Sequence, residues 1–199
     1  LIMNHNNIYI YIGLFSILSA NISLPPPNIE NWQILYDRET WIGWKNDGQV
    51  DWCRTKSTLD ASIDQVQRII EDKGNYPQVF KRIETTEIIT EDIVYIALDM
   101  PFPFSGRDYV VKYVQDNEDN DFLYRFHSVV NIEVPLKRNY VRLINAAGEW
   151  RLTPINSTQT EIAYTWNGEL RGGFPSWALT RAWKEQGLEI IIWLKEALE

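Results

Sequence analysis

Few side chains in this sequence have the types and spacing that a reactive centre needs. Cys53 is the only cysteine, which rules out an intrachain disulfide and a cysteine-based zinc site, and His5 and His127 are the only histidines. The sequence has no Gly-x-Ser-x-Gly elbow, no glycine-rich phosphate loop and no His-Glu-x-x-His motif. We therefore expect no cofactor, no metal site and no catalytic residue of a familiar kind.

His127 is the histidine with a possible chemical role. It lies in the strand-like segment 122–130, where alternation places it on the same face as Leu123 and Arg125. No Ser or Cys nucleophile is marked as its partner, so we interpret it as a strand histidine satisfied by a neighbour or by solvent. General acid–base catalysis is the alternative.

Three other polar features are interpreted without a catalytic role. The acidic segment 116–121 lacks the glycine and the distant Glu of an EF-hand and is predicted to be a hairpin tip. Gly172-Gly173 is predicted to be a turn, because no Lys-Ser/Thr pair follows it as in a phosphate loop. Cys53 is interpreted as a small, partly buried residue.

The segment 100–108 is the most unusual loop in the sequence. Pro101 and Pro103 stiffen it, and Phe102 and Phe104 add apolar bulk between two strand-like segments. Such a loop can cover the mouth of a cavity or touch a lipid surface. A packed crossover with buried rings is the alternative.

Composition narrows the function classes. The 199 residues carry 19 Lys+Arg and 27 Asp+Glu, a formal charge of −8, so nucleic-acid binding is not expected. Aromatic residues make up 13% and include 9 Trp. This excess indicates an aromatic core or a cavity with wide, rigid walls.

The N-terminal region has the pattern of a targeting segment. Residues 1–29 contain no Asp, Glu, Lys or Arg, and an apolar run at 8–18 precedes small residues. We predict a signal peptide over 1–23, a Pro-rich linker over 24–30 and one domain over 31–199. The protein is then exported to the periplasm or secreted; without a functional signal peptide it is cytoplasmic. The alternative interpretation of the apolar run at 8–18 is a strand or helix that packs on the domain.

Hydrophobic periodicity outlines the elements of the domain. Short strands are predicted at 32–38, 41–45 and 50–56, followed by a helix capped by Thr58 or Asp60 and a short helical turn at 76–80. Seven further strands are predicted at 81–90, 93–98, 109–115, 122–130, 140–145, 150–155 and 161–168. A helix over Ser176 to Leu198 must bury one apolar face. The order predicts an α+β fold in which a curved antiparallel sheet wraps around the long C-terminal helix, with short helices between early strands.

Three segments in this order resemble the START (steroidogenic acute regulatory protein-related lipid transfer) domain, which has the helix-grip fold. They are Arg107-Asp108-Tyr109-Val110 after the proline loop, Val141-Arg142 leading through Gly148 and Trp150 to Leu152-Thr153-Pro154, and Gly172-Gly173-Phe174-Pro175-Ser176-Trp177 before the final helix. The resemblance covers residues 32–198.

The resemblance implies a tunnel between sheet and helix for one hydrophobic molecule, such as a lipid, and no catalysis. The loop 101–106 resembles the family's gate, so Phe102 and Phe104 are predicted gate residues. Cholesterol-binding members carry a buried acidic–arginine pair where this sequence has Tyr95 and Tyr113, a departure that argues against a sterol. Predicted ligand-binding residues are Tyr95, Arg107, Tyr113, Arg142 and Trp183.

Three functions remain open at this point. The first is lipid binding, with transfer between membranes and transient membrane contact. The second is an enzyme of the related polyketide cyclase/aromatase type that uses the same tunnel, with His127 or an acidic residue as acid or base. The third is a ligand-sensing module.

Overall fold

The computed structural model of the protein describes residues 31–48, 50–167, 170–171 and 174–199. The predicted signal peptide (1–23), the Pro-rich linker (24–30) and the Gly172-Gly173 turn lie outside the described residues, so these stay predictions. No helix in the described ranges is long and apolar enough to cross a membrane.

The described chain forms one curved sheet and three α-helices. The strands are β1 (Gln33–Asp37), β2 (Thr40–Asn46), β3 (Asp51–Leu59), β4 (Ile83–Ile88), β5 (Ile93–Leu98), β6 (Gly106–Glu118), β7 (Asp121–Ser128), β8 (Tyr140–Arg142), β9 (Ala147–Asn156) and β10 (Gln159–Asn167). The helices are α1 (Ile63–Glu71), α2 (Tyr76–Val79) and α3 (Ser176–Leu198), with a 3-10 turn at Lys73–Asn75. The predicted strand–helix order is confirmed.

The sheet order is β1-β2-β3-β10-β9-β7-β6-β5-β4, and neighbours along this path are antiparallel. The prediction of antiparallel pairing is wrong for β8, which pairs in parallel with the first residues of β6. β7 pairs with β6 only from Val111 onward, so the earlier residues of β6 have a free edge on that side. The connection 129–139 brings β8 to this edge in the same direction as β6.

The start of α1 differs from the prediction. β3 continues to Leu59, so neither Thr58 nor Asp60 caps the helix. Ser62 is the N-cap instead, and its backbone N–H donates to Gln65 Oε1 at 3.0 Å. This is half of a capping box, in which the side chain three residues along satisfies a free N–H at the helix start.

α3 lies on the concave face of the sheet and packs against β2 and β3. Its buried face consists of Trp183, Gly187, Ile190, Ile191 and Leu194, as the periodicity predicted. A Cβ at Gly187 would lie 2.9 Å from Ile42 Cδ1 and 3.3 Å from Thr55 Cβ, so only glycine allows this close approach. The helix is therefore fixed against one half of the sheet.

The acidic segment 116–121 forms a hairpin tip, as predicted. Glu118 pairs with Asp121 across the end of β6 and β7. Asp119 has a φ of 54°, a left-handed conformation that Asp tolerates in turns.

Candidate functional site

A cavity of about 430 Å³ lies between the concave face of the sheet and α3. α3 contributes one wall, which includes Ala178, Ala182 and Ile190. β5, β6, β7, β9 and β10 contribute the opposite wall. The sheet curves away from α3 beyond β3, and this gap is the space that a ligand can occupy.

Aromatic rings form the sheet wall of the cavity. Trp150 and Tyr164 are register partners on β9 and β10, and their rings stack at 3.9 Å between centroids. Trp166 stacks on Tyr164 at 4.9 Å, and Phe126 lies 5.6 Å from Tyr113. Alternate residues of a strand face the same side of a sheet, so rings spaced by two along each strand meet in one layer. The layer is a rigid apolar wall.

Gly148 makes room for this layer. A Cβ at Gly148 would lie 2.3 Å from Phe126 Cζ and 2.8 Å from the carbonyl oxygen of Thr165. The Phe126 ring therefore covers the backbone of β9 at this position. Any side chain at residue 148 would have to displace that ring.

The mouth of the cavity carries apolar side chains in contact with solvent. Phe102 is 98% exposed and Trp177 is 81% exposed, and both line the cavity. Phe104 also lines it and packs on Phe174 at 4.4 Å between centroids. The two residues predicted to form the gate therefore lie at the mouth, with different environments: Phe104 is packed and Phe102 is not.

Arg107 connects the two segments that border the mouth. Its guanidinium donates to the carbonyl oxygens of Leu170 at 2.7 Å and Arg171 at 3.0 Å, and to that of Ser105. Burial lowers the pKa of the Arg107 side chain. Arg107 is not among the cavity-lining residues. The prediction that it binds ligand is replaced by a structural role, because three backbone carbonyls occupy its donors.

Charged side chains lie on the rim of the cavity and pair with one another. Arg82 makes a bidentate ion pair with Glu189 of α3, at 2.5 and 2.7 Å. Arg181 pairs with Glu185 at 2.9 Å and is largely exposed. The Arg82–Glu189 pair joins the residue before β4 to α3 beside the cavity. The hydrogen bonds to the Glu189 carboxylate also raise the pKa of Arg82.

Tyr113, a predicted ligand-binding residue, lines the cavity within a cluster of buried tyrosines. Burial raises the pKa of Tyr113 well above its usual value, and the neighbouring Tyr76 and Tyr109 hydroxyls raise it further. The pKa values of Tyr109 and Tyr164 are raised chiefly by burial as well. These hydroxyls stay protonated at neutral pH and can donate hydrogen bonds.

Tyr95 and Arg142 lie on the convex face of the sheet, and the prediction that they bind ligand in the tunnel is wrong. Arg142 makes a bidentate ion pair with Asp108 at 2.8 and 2.9 Å, and the Tyr95 hydroxyl donates to the same carboxylate at 3.1 Å. Burial and Asp108 raise the pKa of Tyr95 to about 12. The reason for the error is strand parity, since residues 94, 96 and 98 of β5 face the cavity side.

Trp183 also lies away from the cavity. It is buried between α3 and β2, where its ring contacts Trp44 at 5.3 Å between centroids. It is not a cavity-lining residue, so its predicted ligand contact is replaced by packing of the helix on the sheet. The helical spacing correctly predicted that Trp183 is buried, but it did not predict that the ring packs against Trp44.

His127 and Cys53 have no access to the cavity. His127 is exposed on the convex face, on the side opposite to Phe126. Cys53 is fully buried, and burial raises the pKa of its thiol. Within the described ranges no group of three His, Cys, Asp or Glu side chains could hold a metal ion.

The sequence carried a signal for the residues that the prediction missed. Phe122, Tyr124 and Phe126 alternate along β7, and Tyr164 and Trp166 alternate along β10. Tyr109 shares the parity of Tyr113 on β6. Aromatic residues at every second position of β7 and β10, and at positions of one parity on β6, indicate one aromatic face, which is the cavity wall.

Comparison with known proteins shows which folds this architecture resembles. No family model matches the chain. An uncharacterized protein of Pseudomonas aeruginosa is 23% identical over 177 residues, covering 85% of this chain and 88% of that protein. A STAR-related lipid transfer protein from Xanthomonas axonopodis superposes with a TM-score of 0.74 at 21% identity, covering 85% of this chain and 99% of that structure.

An aromatase/cyclase is also similar in structure. The Zhui aromatase/cyclase from Streptomyces sp. R1128 superposes with a TM-score of 0.53 at 19% identity, covering 73% of this chain and 92% of that structure. Structural similarity at sequence identities this low is evidence for a shared fold. The protein has a START-like helix-grip α+β fold, as the sequence predicted.

Proposed function

We propose that the protein binds one lipid or lipid-like molecule in the cavity between the sheet and α3, and that it carries this molecule to or from a membrane without catalysing a reaction. The aromatic cavity is the observation that carries the proposal. Trp150, Tyr164 and Phe126 are largely buried from outside and still border open space. An apolar ligand is stabilised there by about 25 cal/mol for each Å² of surface removed from water.

The solved structure of a lipid transfer protein with the same fold supports this choice. That protein superposes over nearly all of its length. The cavity volume of about 430 Å³ also lies within the range of roughly 300–1,000 Å³ that small-molecule pockets occupy. A lipid partner is therefore consistent with both the fold and the size of the cavity.

The mouth supports contact with a membrane. Phe102, on the loop after β5, and Trp177, in the first turn of α3, both line the cavity and expose their rings to solvent. Trp favours the interface of a bilayer, where its apolar body and its polar N–H are both accommodated, and an exposed Phe ring adds apolar area that lipid can cover. Contact through these rings would place the opening against the lipid, so that a ligand can enter without crossing water.

Extraction and native mass spectrometry of the purified protein test ligand binding. We expect an apolar molecule at a stoichiometry of one. Ala182 lies on the cavity wall of α3, and an Ala182→Trp substitution should fill the cavity and abolish binding. Ala197 is exposed on the same helix, so Ala197→Trp is the matched control and should keep the ligand. Equal occupancy in both variants would contradict the proposal.

The likeness to an aromatase/cyclase favours an enzyme as the second candidate. His127 cannot serve it, because it is exposed on the face opposite to the cavity. Asp99 and Glu185 are the carboxylates that line the cavity in the described ranges. Turnover of a polyketide substrate that is lost in Glu185→Gln and kept in His127→Ala would favour the enzyme over the carrier.

Export remains part of the proposal for the whole chain. The apolar run at 8–18 and the small residues Ser19, Ala20 and Ser23 support a cleaved signal peptide. N-terminal sequencing of protein from the native host should find a first residue between Asn21 and Leu24. Intact Met3 on cytoplasmic protein would refute export.

A further inference from the structure

We propose that the cavity selects ligands with an uncharged oxygen acceptor, such as a ketone, ester or ether, and that the hydroxyls of Tyr109 and Tyr164 hold this acceptor on the sheet wall. This inference rests on the proposed function and specifies its ligand class. It names a polar anchor in a wall made mostly of aromatic and aliphatic side chains.

The two hydroxyls are free and face the cavity. Tyr109 and Tyr164 both line it, and neither hydroxyl has a hydrogen-bond partner in the part of the chain that the structure describes. In that part, the buried side-chain polar atoms without a partner are Arg151 Nε and Trp166 Nε1. The two hydroxyls are therefore not sealed in protein but are accessible from the cavity, where a ligand can reach them.

Trp166 supports Tyr164 on the same wall. Its ring lines the cavity and stacks on Tyr164 with an angle of 17° between the ring planes. Its indole N–H has no acceptor in the described ranges, but it is enclosed by protein and is not part of the anchor. Polar groups in protein interiors are usually hydrogen-bonded, so two free hydroxyls on one wall indicate that the missing acceptor comes from the ligand.

Two other hydroxyls of the cluster are already engaged. The Tyr76 hydroxyl donates to the carbonyl oxygen of Ile70. The Lys73 ammonium donates to the Tyr124 hydroxyl at 2.8 Å, and neither Lys73 nor Tyr124 lines the cavity. Tyr109 and Tyr164 differ from Tyr76 and Tyr124 because their hydroxyls have no partner in the described part of the chain.

The distribution of charge excludes an ionic group at this anchor. The charged residues that line the cavity are Arg82, Asp99, Arg181 and Glu185, and all of them keep contact with solvent. Arg82 is held by Glu189, and Arg181 by Glu185. A carboxylate or phosphate beside Tyr164 would be buried without a counter-charge, which is strongly unfavourable. The anchor therefore suits a neutral acceptor.

Three probes of equal carbon number test the proposal by native mass spectrometry at about pH 8. Methyl decyl ketone has an acceptor, dodecane has none, and dodecanoate is charged. We expect the wild type to bind the ketone roughly tenfold more tightly than either of the others. In Tyr109→Phe/Tyr164→Phe the preference over dodecane should disappear, while dodecane binding stays within about twofold.

Tyr95→Phe is the matched control, since it removes a tyrosine hydroxyl from the convex face and should leave the ketone preference intact. If the double variant does not fold, each single variant should lose about threefold in ketone binding. Equal binding of ketone and dodecane, or tight binding of dodecanoate, would overturn the anchor while the cavity still binds lipid. Binding of none of the probes, with no apolar ligand in extracts, would instead contradict the proposed function.

Discussion

Replacing Arg142 with Met tests whether this residue stabilises the fold or binds the ligand. Asp108 is completely buried, and its carboxylate is satisfied by Arg142 and by the Tyr95 hydroxyl. Arg142→Met leaves that carboxylate buried with one hydrogen bond. Removing one partner of a buried ion pair costs about 3–5 kcal/mol, because the remaining charge cannot be solvated.

The lower end of this range applies here. The Arg142 side chain is 19% exposed, so water can approach the vacated position, and the Tyr95 hydroxyl remains. A loss of about 3 kcal/mol corresponds to a fall in Tm of roughly 6–12 °C for a domain of this size. Urea denaturation gives the free energy of unfolding directly.

Asp108→Asn in the Arg142→Met background separates charge burial from packing. The double variant has no buried charge, so it should regain most of the lost stability. Binding of methyl decyl ketone by the folded protein should be unchanged in both variants, since neither residue lines the cavity. Loss of ketone binding without loss of stability would refute the structural assignment of Arg142.

Three further predictions address the mouth, the helix and the tyrosines. The double substitution Phe102→Ser/Trp177→Ser should slow ligand exchange with phosphatidylcholine vesicles several-fold. Because both rings are exposed, the free energy of unfolding should change by less than about 0.5 kcal/mol; an unchanged exchange rate would show that these rings do not make the membrane contact. Gly187→Ala should destabilise by about 1–3 kcal/mol in urea, because its Cβ would overpack against Ile42 and Thr55 despite better helix propensity; a more stable variant would contradict the close approach. The stability that these buried tyrosines contribute should be lost as the pH rises from about 10 to 12. The pKa of Tyr95 is raised to about 12 and those of Tyr109 and Tyr164 are raised too, so the unfolded state loses these protons first; a free energy of unfolding that does not fall over this pH range would refute this.

The sequence predicted the elements well where the local pattern determines them. The C-terminal helix begins at Ser176 and ends at Leu198, as its apolar period indicated, and the strands follow one another along the chain in the predicted order. The parallel pairing of β8 could not be predicted, because it depends on where β7 ends relative to β6. The N-cap was missed because β3 continues through Thr58 to Leu59, where it pairs with Thr160 of β10.

The candidate site was harder to predict, for a reason that the two tyrosines Tyr95 and Tyr113 make clear. Alternation assigns the residues of a strand to two faces but does not say which face is concave. On β5 the convex face carries Tyr95 and Ala97, which are buried in a small second cluster with Val110. Both faces of this strand are thus apolar and buried, so hydrophobicity cannot distinguish them.

Pairing between strands resolves the ambiguity that a single strand leaves. Tyr95 is the register partner of Val110, whereas Tyr113 is the partner of Phe126, so the two tyrosines belong to opposite faces. The face with Tyr113 continues through Phe126 and Gly148 to Trp166, and the glycine lets the aromatic layer cross β9 without a gap. A layer of rings that spans four strands is too wide for α3 to cover completely. The same residues that give the sheet its apolar concave face therefore leave the cavity, and the hydroxyls of that layer give it the capacity to choose among apolar ligands.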